Sequence, residues 1–341
     1  MHKTYSTRSC KAFATPGATL STTDHNMHRM RRSAMNPFFS KASVRRLQPV
    51  INERIDKLMS RIMGFQDSGA PLTISVAYVA FSSGTASLSF LSLNHSHRIL
   101  DVVAEYAFGN SYHHLEKEDF DRTYAQSLHA AAGAYHFNKH IFWPFQLLLS
   151  LPYWLTTMLA PGISPYVAFI KDCERQINVI KYGGKGILAK KANPTIFHEL
   201  LEGDLPSSEK SVSRLMEEGS VVVGAGTETT AWCLSVITYH LLSQPPIIKR
   251  LRDELLAAMP NPKGSTRLET LEGLPYLRAC IQEGLRLSYG NSSRLQRICP
   301  DKSIIFSDGK KDWYIPPGVG HSVHASPLCS CRNSNTDINS T

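Results

Sequence analysis

Ala225-Gly226-Thr227-Glu228-Thr229-Thr230 lies inside an apolar run, Ser211 to Leu242, that reads as one long helix interrupted by Gly224 and Gly226 and ended by Pro245-Pro246. Glycine in a helix interior costs about 1 kcal/mol against alanine. Threonine hydroxyls there compete for backbone carbonyls and bend the helix. An acid beside alcohols in such a place needs a reason. One reading is a widened groove in which a small ligand sits between the helix and a bound group. The other is a capped junction between two helices.

Further along, Leu274-Pro275-Tyr276-Leu277-Arg278-Ala279-Cys280-Ile281-Gln282-Glu283-Gly284-Leu285-Arg286-Leu287-Ser288 reads as a helix with proline in its first turn. Glu283 and Arg286 are i and i+3 and share a face. The flanking Leu277, Ile281, Leu285 and Leu287 predict that the pair is buried, where losing one partner costs about 3–5 kcal/mol. The bland alternative is a solvated pair worth a few tenths of a kcal/mol. A third element is His28-Arg29-Met30-Arg31-Arg32, on a helix expected over Asp24 to Phe39 with Asp24 as N-cap and Asn36-Pro37 as stop. His28 and Arg32 stand one turn apart and can present donors jointly to an anion, or can simply form part of a solvated basic face.

The remaining pattern is mainly α with a small β component. Val44, Leu47, Ile51, Ile55, Leu58 and Ile62 give an amphipathic helix over Ser43 to Met63, and Ile247 to Met259 gives another. Lys302 to Phe306 and Asp312 to Ile315 flank Ser307-Asp308-Gly309, a hairpin signal. Between Ile141 and Ile170, four prolines exclude one continuous helix. That stretch is either a buried set of short helices or a surface that dips into lipid, with Trp143 and Trp154 at the interface. No run of eighteen apolar residues predicts a spanning helix.

The 341 residues are 42% hydrophobic and 19% charged, a globular composition, with net charge 37 − 28 = +9. Basic residues are scattered with no aromatic-and-basic ladder, which argues against nucleic acid and leaves an anionic membrane face or an acidic redox partner. The seven cysteines (10, 173, 233, 280, 299, 329 and 331) form no C-x-x-C pair and no zinc spacing. Cys233 and Cys280 are expected to be inert core thiols in a reducing compartment.

Taken in order, the distal hexapeptide, the Glu-x-x-Arg helix and the His28–Arg32 turn followed by Asn36-Pro37-Phe38-Phe39-Ser40 resemble the cytochrome P450 family, in particular its fungal microsomal members. The resemblance covers Phe13 through Gly318 and implies an α-rich P450-like fold, incomplete, around one haem. It implies that Thr229 hydrogen-bonds bound oxygen and Glu228 relays protons, with Ala225 and Gly226 lining the haem. His28 and Arg32 would bind propionates, and Glu283 and Arg286 would form a structural network. It also implies a lipophilic small-molecule substrate and electrons from NADPH through a flavin-containing cytochrome P450 reductase. The expected location is the cytosolic face of the endoplasmic reticulum membrane, with a peripheral membrane surface.

Two stretches depart from the family pattern. Gly84–Leu100 has no helical period and separates Tyr78-Val79-Ala80-Phe81 from Asp101-Val102-Val103, so it reads as an inserted segment of a partial domain over residues 1–318. After Ile315-Pro316-Pro317-Gly318 the resemblance stops, and residues 319–341 are expected to be a disordered tail. No Phe-x-x-Gly-x-x-x-Cys segment occurs, and Cys329 and Cys331 lack the glycine-bearing loop that would hold an iron ligand. The sequence thus leaves three expectations. The chain is an inactive fragment of a monooxygenase, a working one with an improvised ligand, or a helical membrane-peripheral or interaction protein without catalysis. A frame error or missed splice site after Gly318 would explain the first.

Overall fold

The computed structural model describes residues 4–5, 14–83, 102–108, 114–141, 143–183, 195–261, 266–290 and 297–321. They are mainly helical with a small β component, as expected. The Gly84–Leu100 segment lies outside the described residues, as do Cys329 and Cys331. Contacts group the chain into two units: Met1–Glu228 with Leu295–Val323, and Thr229–Arg294 with His324–Thr341.

In the first unit, Asp24 caps the His25–Met35 helix by accepting from the Met27 amide at 2.7 Å. A 3-10 turn, Asn36–Phe39, follows at the expected stop. The single helix expected over Ser43 to Met63 is instead two, Lys41–Arg46 and Gln48–Ser68, separated at Leu47. Pro49 explains the break, since its ring cannot pass the carbonyl four residues earlier and it has no amide to donate. The apolar face is also interrupted: Ile55 is exposed while Arg54 is buried. Leu58 joins Ala77, Ala80, Leu115 and Phe120 in a core that includes the Ile74–Ser83 helix.

The helix Val212–Ser243 runs without a break through Gly224 and Gly226, contrary to the expected interruption. Leu215, Gly219, Val223, Thr227 and Ala231 recur every four residues, and all are buried. Burial of that stripe outweighs the local cost of two glycines. Thr227 adds a 2.7 Å bond to the Val223 carbonyl. Among the described residues this is the one helix long and apolar enough to cross a membrane, with mean hydropathy 1.2. Only 17% of its most apolar stretch is buried, while Arg214, Glu217 and Glu218 near its start are all tied to other parts of the first unit.

Between Ile141 and Ile170 the prolines separate the helices Trp143–Ser150 and Tyr153–Leu159 and open the helix Ser164–Tyr182. Phe145 and Thr156 are buried, yet Trp143 and Trp154 are 62% and 68% exposed. The set of short helices and the open aromatic surface therefore coexist.

The hairpin forms from Ile304–Ser307 and Asp312–Ile315, with Asp308 accepting from the Lys310 and Lys311 amides and Gly309 at φ 83. A second sheet went unread in the sequence. Arg297–Ile298 pairs antiparallel with Thr4–Tyr5 on one side and with Gly320–His321 on the other. The expected tail therefore begins with two residues of strand.

Asp121, at φ 56, caps the helix Arg122–Gly133. Burial would raise its carboxyl, but hydrogen bonds and charge from His114, whose Nδ1 lies 3.0 Å away, and from Lys117 outweigh this and hold it well below the usual range. A depressed carboxyl stabilises the fold above the unfolded-state pKa and loses that contribution as pH falls. Thermal melts should therefore show stability falling from about pH 4 downward, with Asp121→Asn less stable near pH 7 and flatter below pH 4. Equal slopes for the two proteins would contradict this.

In the second unit, Pro275–Leu287 forms as expected. Leu274 offers no side-chain cap. Glu254, from the helix Pro245–Ala258, accepts the Tyr276 and Leu277 amides at 2.9 and 2.8 Å instead. Gly284 permits a close crossing with the long helix, since a Cβ there would come 2.1 Å from Ile237 Cγ1. Of the described cysteines, Cys173 and Cys299 are buried; Cys233 and Cys280 are half-buried, because their helix faces are only partly covered.

Candidate haem-facing site

The turn His28–Arg32 distributes its cations to different tasks. Arg31 is buried and takes Glu209 in a fork, Nε to Oε2 at 2.6 Å and Nη2 to Oε1 at 2.9 Å, with Nη1 on Thr22 Oγ1 at 2.7 Å. Glu209 is held below its usual pKa by that fork. Arg214 then joins Glu209 at 3.3 Å and Glu218 at 2.6 Å, and Glu218 accepts the Thr19 amide and hydroxyl. Glu217, which burial pushes upward, accepts the Gly17 amide at 2.5 Å. Through these bonds the 14–22 segment and the His25–Met35 helix are fixed to the long helix.

His28 is half-buried and Arg32 is exposed. Burial lowers the His28 pKa first, and the charges of Arg32, His25 and Arg297 lower it further, against a smaller pull from Glu218. The three-stranded sheet is what brings Arg297 to this cluster, and no sequence signal marked it, because a two-residue strand carries no periodicity. The result is a concentration of positive charge beside Glu218 on the long helix.

From Glu218, positions 222, 225 and 229 follow at i+4, i+7 and i+11 and share one face. Glu218 is buried and Val222 half-buried, while Ala225 and Thr229 are exposed. The stripe is sealed beside the cations and open about 10 Å further on, seven residues at 1.5 Å each. A Cβ added at Gly224 would meet nothing within 4 Å, and Gly226 is half-buried. Thr227, by contrast, is sealed and committed to the Val223 carbonyl. Glu228 Oε1 meets Nδ1 of His129, on the helix Arg122–Gly133, at 2.7 Å. No local sequence signal pairs these two.

Glu283 and Arg286 do form the expected pair, Nε to Oε2 at 2.7 Å, but the expected burial holds only in part, with Arg286 17% exposed. Glu283 is 51% exposed, and Leu285 and Ile281 also face outward. The helix packs through Gly284 and Ser288, on whose carbonyl Trp232 Nε1 donates at 2.6 Å. Periodicity found the apolar face, but it could not tell that this face stays open among the described residues.

A sequence profile described as Cytochrome P450 matches residues 3–319. A cytochrome P450 monooxygenase of Cochliobolus heterostrophus is 40% identical over 315 residues, 92% of this chain and 57% of that protein. The chain belongs to the cytochrome P450 family. A second P450 monooxygenase, from Ascocoryne sarcoides, is 38% identical over 322 residues, covering 92% of this chain and 59% of its own length. An N-acetyltryptophan 6-hydroxylase of Emericella nidulans is 33% identical over 300 residues, 87% of this chain and 55% of that one. The chain thus spans a little under three-fifths of the length of these three relatives. A crystal structure of a cytochrome P450 shares the fold, with TM-score 0.64 at 13% identity over 96% of this chain and 68% of that one.

P450 membership implies a haem iron cofactor and a supply of electrons from a redox partner. The residues present fit the group on one side. His28, Arg32 and Arg297 suit its carboxylates, and the exposed helix face at Ala225 suits its apolar face. For the iron's protein ligand, the 341 residues hold no Phe-x-x-Gly-x-x-x-Cys segment.

Proposed function

We propose that these residues form the distal, oxygen-handling part of a haem-dependent monooxygenase acting on a lipophilic small molecule, with electrons from NADPH through a flavin reductase. One observation carries the reading: a helix stripe that starts beside a cluster of cations and opens at Ala225. Arg32 and Arg297 supply fixed positive charge for the propionates. His28, with its pKa lowered, serves near neutral pH as an uncharged donor. Ala225 and Gly226 leave space beside the macrocycle, and Thr229 lies exposed one turn after Ala225. Haem, when bound, supplies the centre at which dioxygen is activated for insertion of one oxygen atom. Glu228 holds and returns protons next to Thr229.

The reading includes a peripheral membrane surface, the cytosolic face of the endoplasmic reticulum. Exposed Trp143 and Trp154, with Leu147 and Met158, give an apolar face suited to the lipid boundary. The same face favours a second reading, a membrane-peripheral helical protein without catalysis.

Haem titration of the 341-residue protein, followed in the Soret region, separates the two. Saturable uptake of one haem is expected, weakened roughly 10- to 100-fold in Arg32→Ala or Arg297→Ala, the worth of one charge-assisted contact. No uptake, or affinity indifferent to both substitutions, would remove the haem reading and leave the second.

A further inference from the structure

Glu228 is arranged asymmetrically. Its Oε1 takes the His129 imidazole at 2.7 Å, while Oε2 is shielded from solvent and has no hydrogen-bond partner. An ordinary surface pair leaves both carboxylate oxygens to water. Here one oxygen forgoes hydration without a replacement bond, a cost of about 1–3 kcal/mol, and such a group calls for a functional explanation. The imidazole is 55% exposed against 28% for the carboxylate, so the pair runs from the solvent side toward the long helix.

We propose that His129 is the solvent-side proton donor that recharges Glu228. The inference rests on Glu228 being the distal acid. An acid in bulk solvent, a hydronium ion or a buffer, protonates the imidazole at Nε2. The imidazolium then passes its Nδ1 proton to Glu228 Oε1, which leaves a neutral imidazole and a carboxylic acid. No electrons change hands, and each cycle consumes one solvent proton. Rotation of the carboxyl carries the proton to the shielded side where Oε2 now points. His129 acts through Glu228 and is a positioning residue. The ring nitrogen that carries the proton is set by its partner, so the carboxylate holds the imidazole ready to donate from Nδ1.

The test uses the full 341-residue protein without haem, carrying isotope-labelled glutamate, and follows the carboxylic carbonyl band by infrared after photorelease of protons. Glu228→Gln assigns the band. In His129→Gln the band should rise at least about tenfold more slowly, tenfold being 1.4 kcal/mol of barrier. In His129→Gly the rate should recover when imidazole is added. A rate unchanged in His129→Gln, or slowed but not rescued by imidazole in His129→Gly, overturns the relay. Because haem is absent, a failed haem titration leaves this result standing and removes only the role assigned to Glu228.

Discussion

Arg31→Ala should destabilise the first unit by about 3–5 kcal/mol, because it strands a buried carboxylate. Side-chain exposure is 9% for Arg31 and 8% for Glu209, and Arg214 reaches the same carboxylate from the other side. Losing the fork removes two charge-assisted bonds and leaves Glu209 without its main compensation. It also removes the Arg31–Thr22 bond, one of several ties on the 14–22 segment. Glu283→Gln provides the contrast. Glu283 is half-exposed, and its loss should cost no more than about 1 kcal/mol. Urea unfolding of the two variants decides the matter. Arg31→Ala within 1 kcal/mol of the wild type would show that the network is not what fixes the segment.

Gly219→Val should cost about 3 kcal/mol, the upper part of the range for overpacking a closed core. A Cβ at this position would lie 2.7 Å from Phe108 Cζ and 3.3 Å from Phe197 Cζ. Those rings stack at 4.9 Å and are almost wholly buried, so neither can yield without shifting the helices Val102–Phe108 and Ile196–Glu202. Gly219→Ala should be milder, since alanine regains about 1 kcal/mol of helix propensity. Urea melts in which Gly219→Val matches the wild type would mean that the stack has room that the geometry denies.

These two residues also show what the sequence could and could not reveal. Pro275 marked the start of its helix and Asp24 capped another, because capping is local chemistry readable from a few neighbours. The hexapeptide at Ala225 was recognisable for the same reason, since a costly local choice stands out in an apolar helix. The division of labour between Arg31 and Arg32 was not readable. Adjacent cations on one turn face different surroundings, and Glu209 lies far along the chain. Arg297 and His129 escaped notice because only tertiary pairing brings them to His28 and Glu228. Unbroken helix across Gly224 and Gly226 likewise depended on a buried stripe whose partners are remote. The Glu283–Arg286 pair forms, but Glu283 lies half-exposed, because an apolar period says which face can be covered and not whether it is.

The most direct test of haem held by distal contacts alone is a ferrous–CO difference spectrum of the purified 341-residue protein loaded with haem. Thiolate ligation is what gives the family its electron push toward O–O cleavage, and the segment that would supply it does not occur in these residues. The expected spectrum has a CO-bound Soret band without the thiolate-type red shift, equal in the wild type, Cys329→Ser and Cys331→Ser. A red-shifted band that disappears on either substitution would contradict the account, and would make that cysteine the iron ligand.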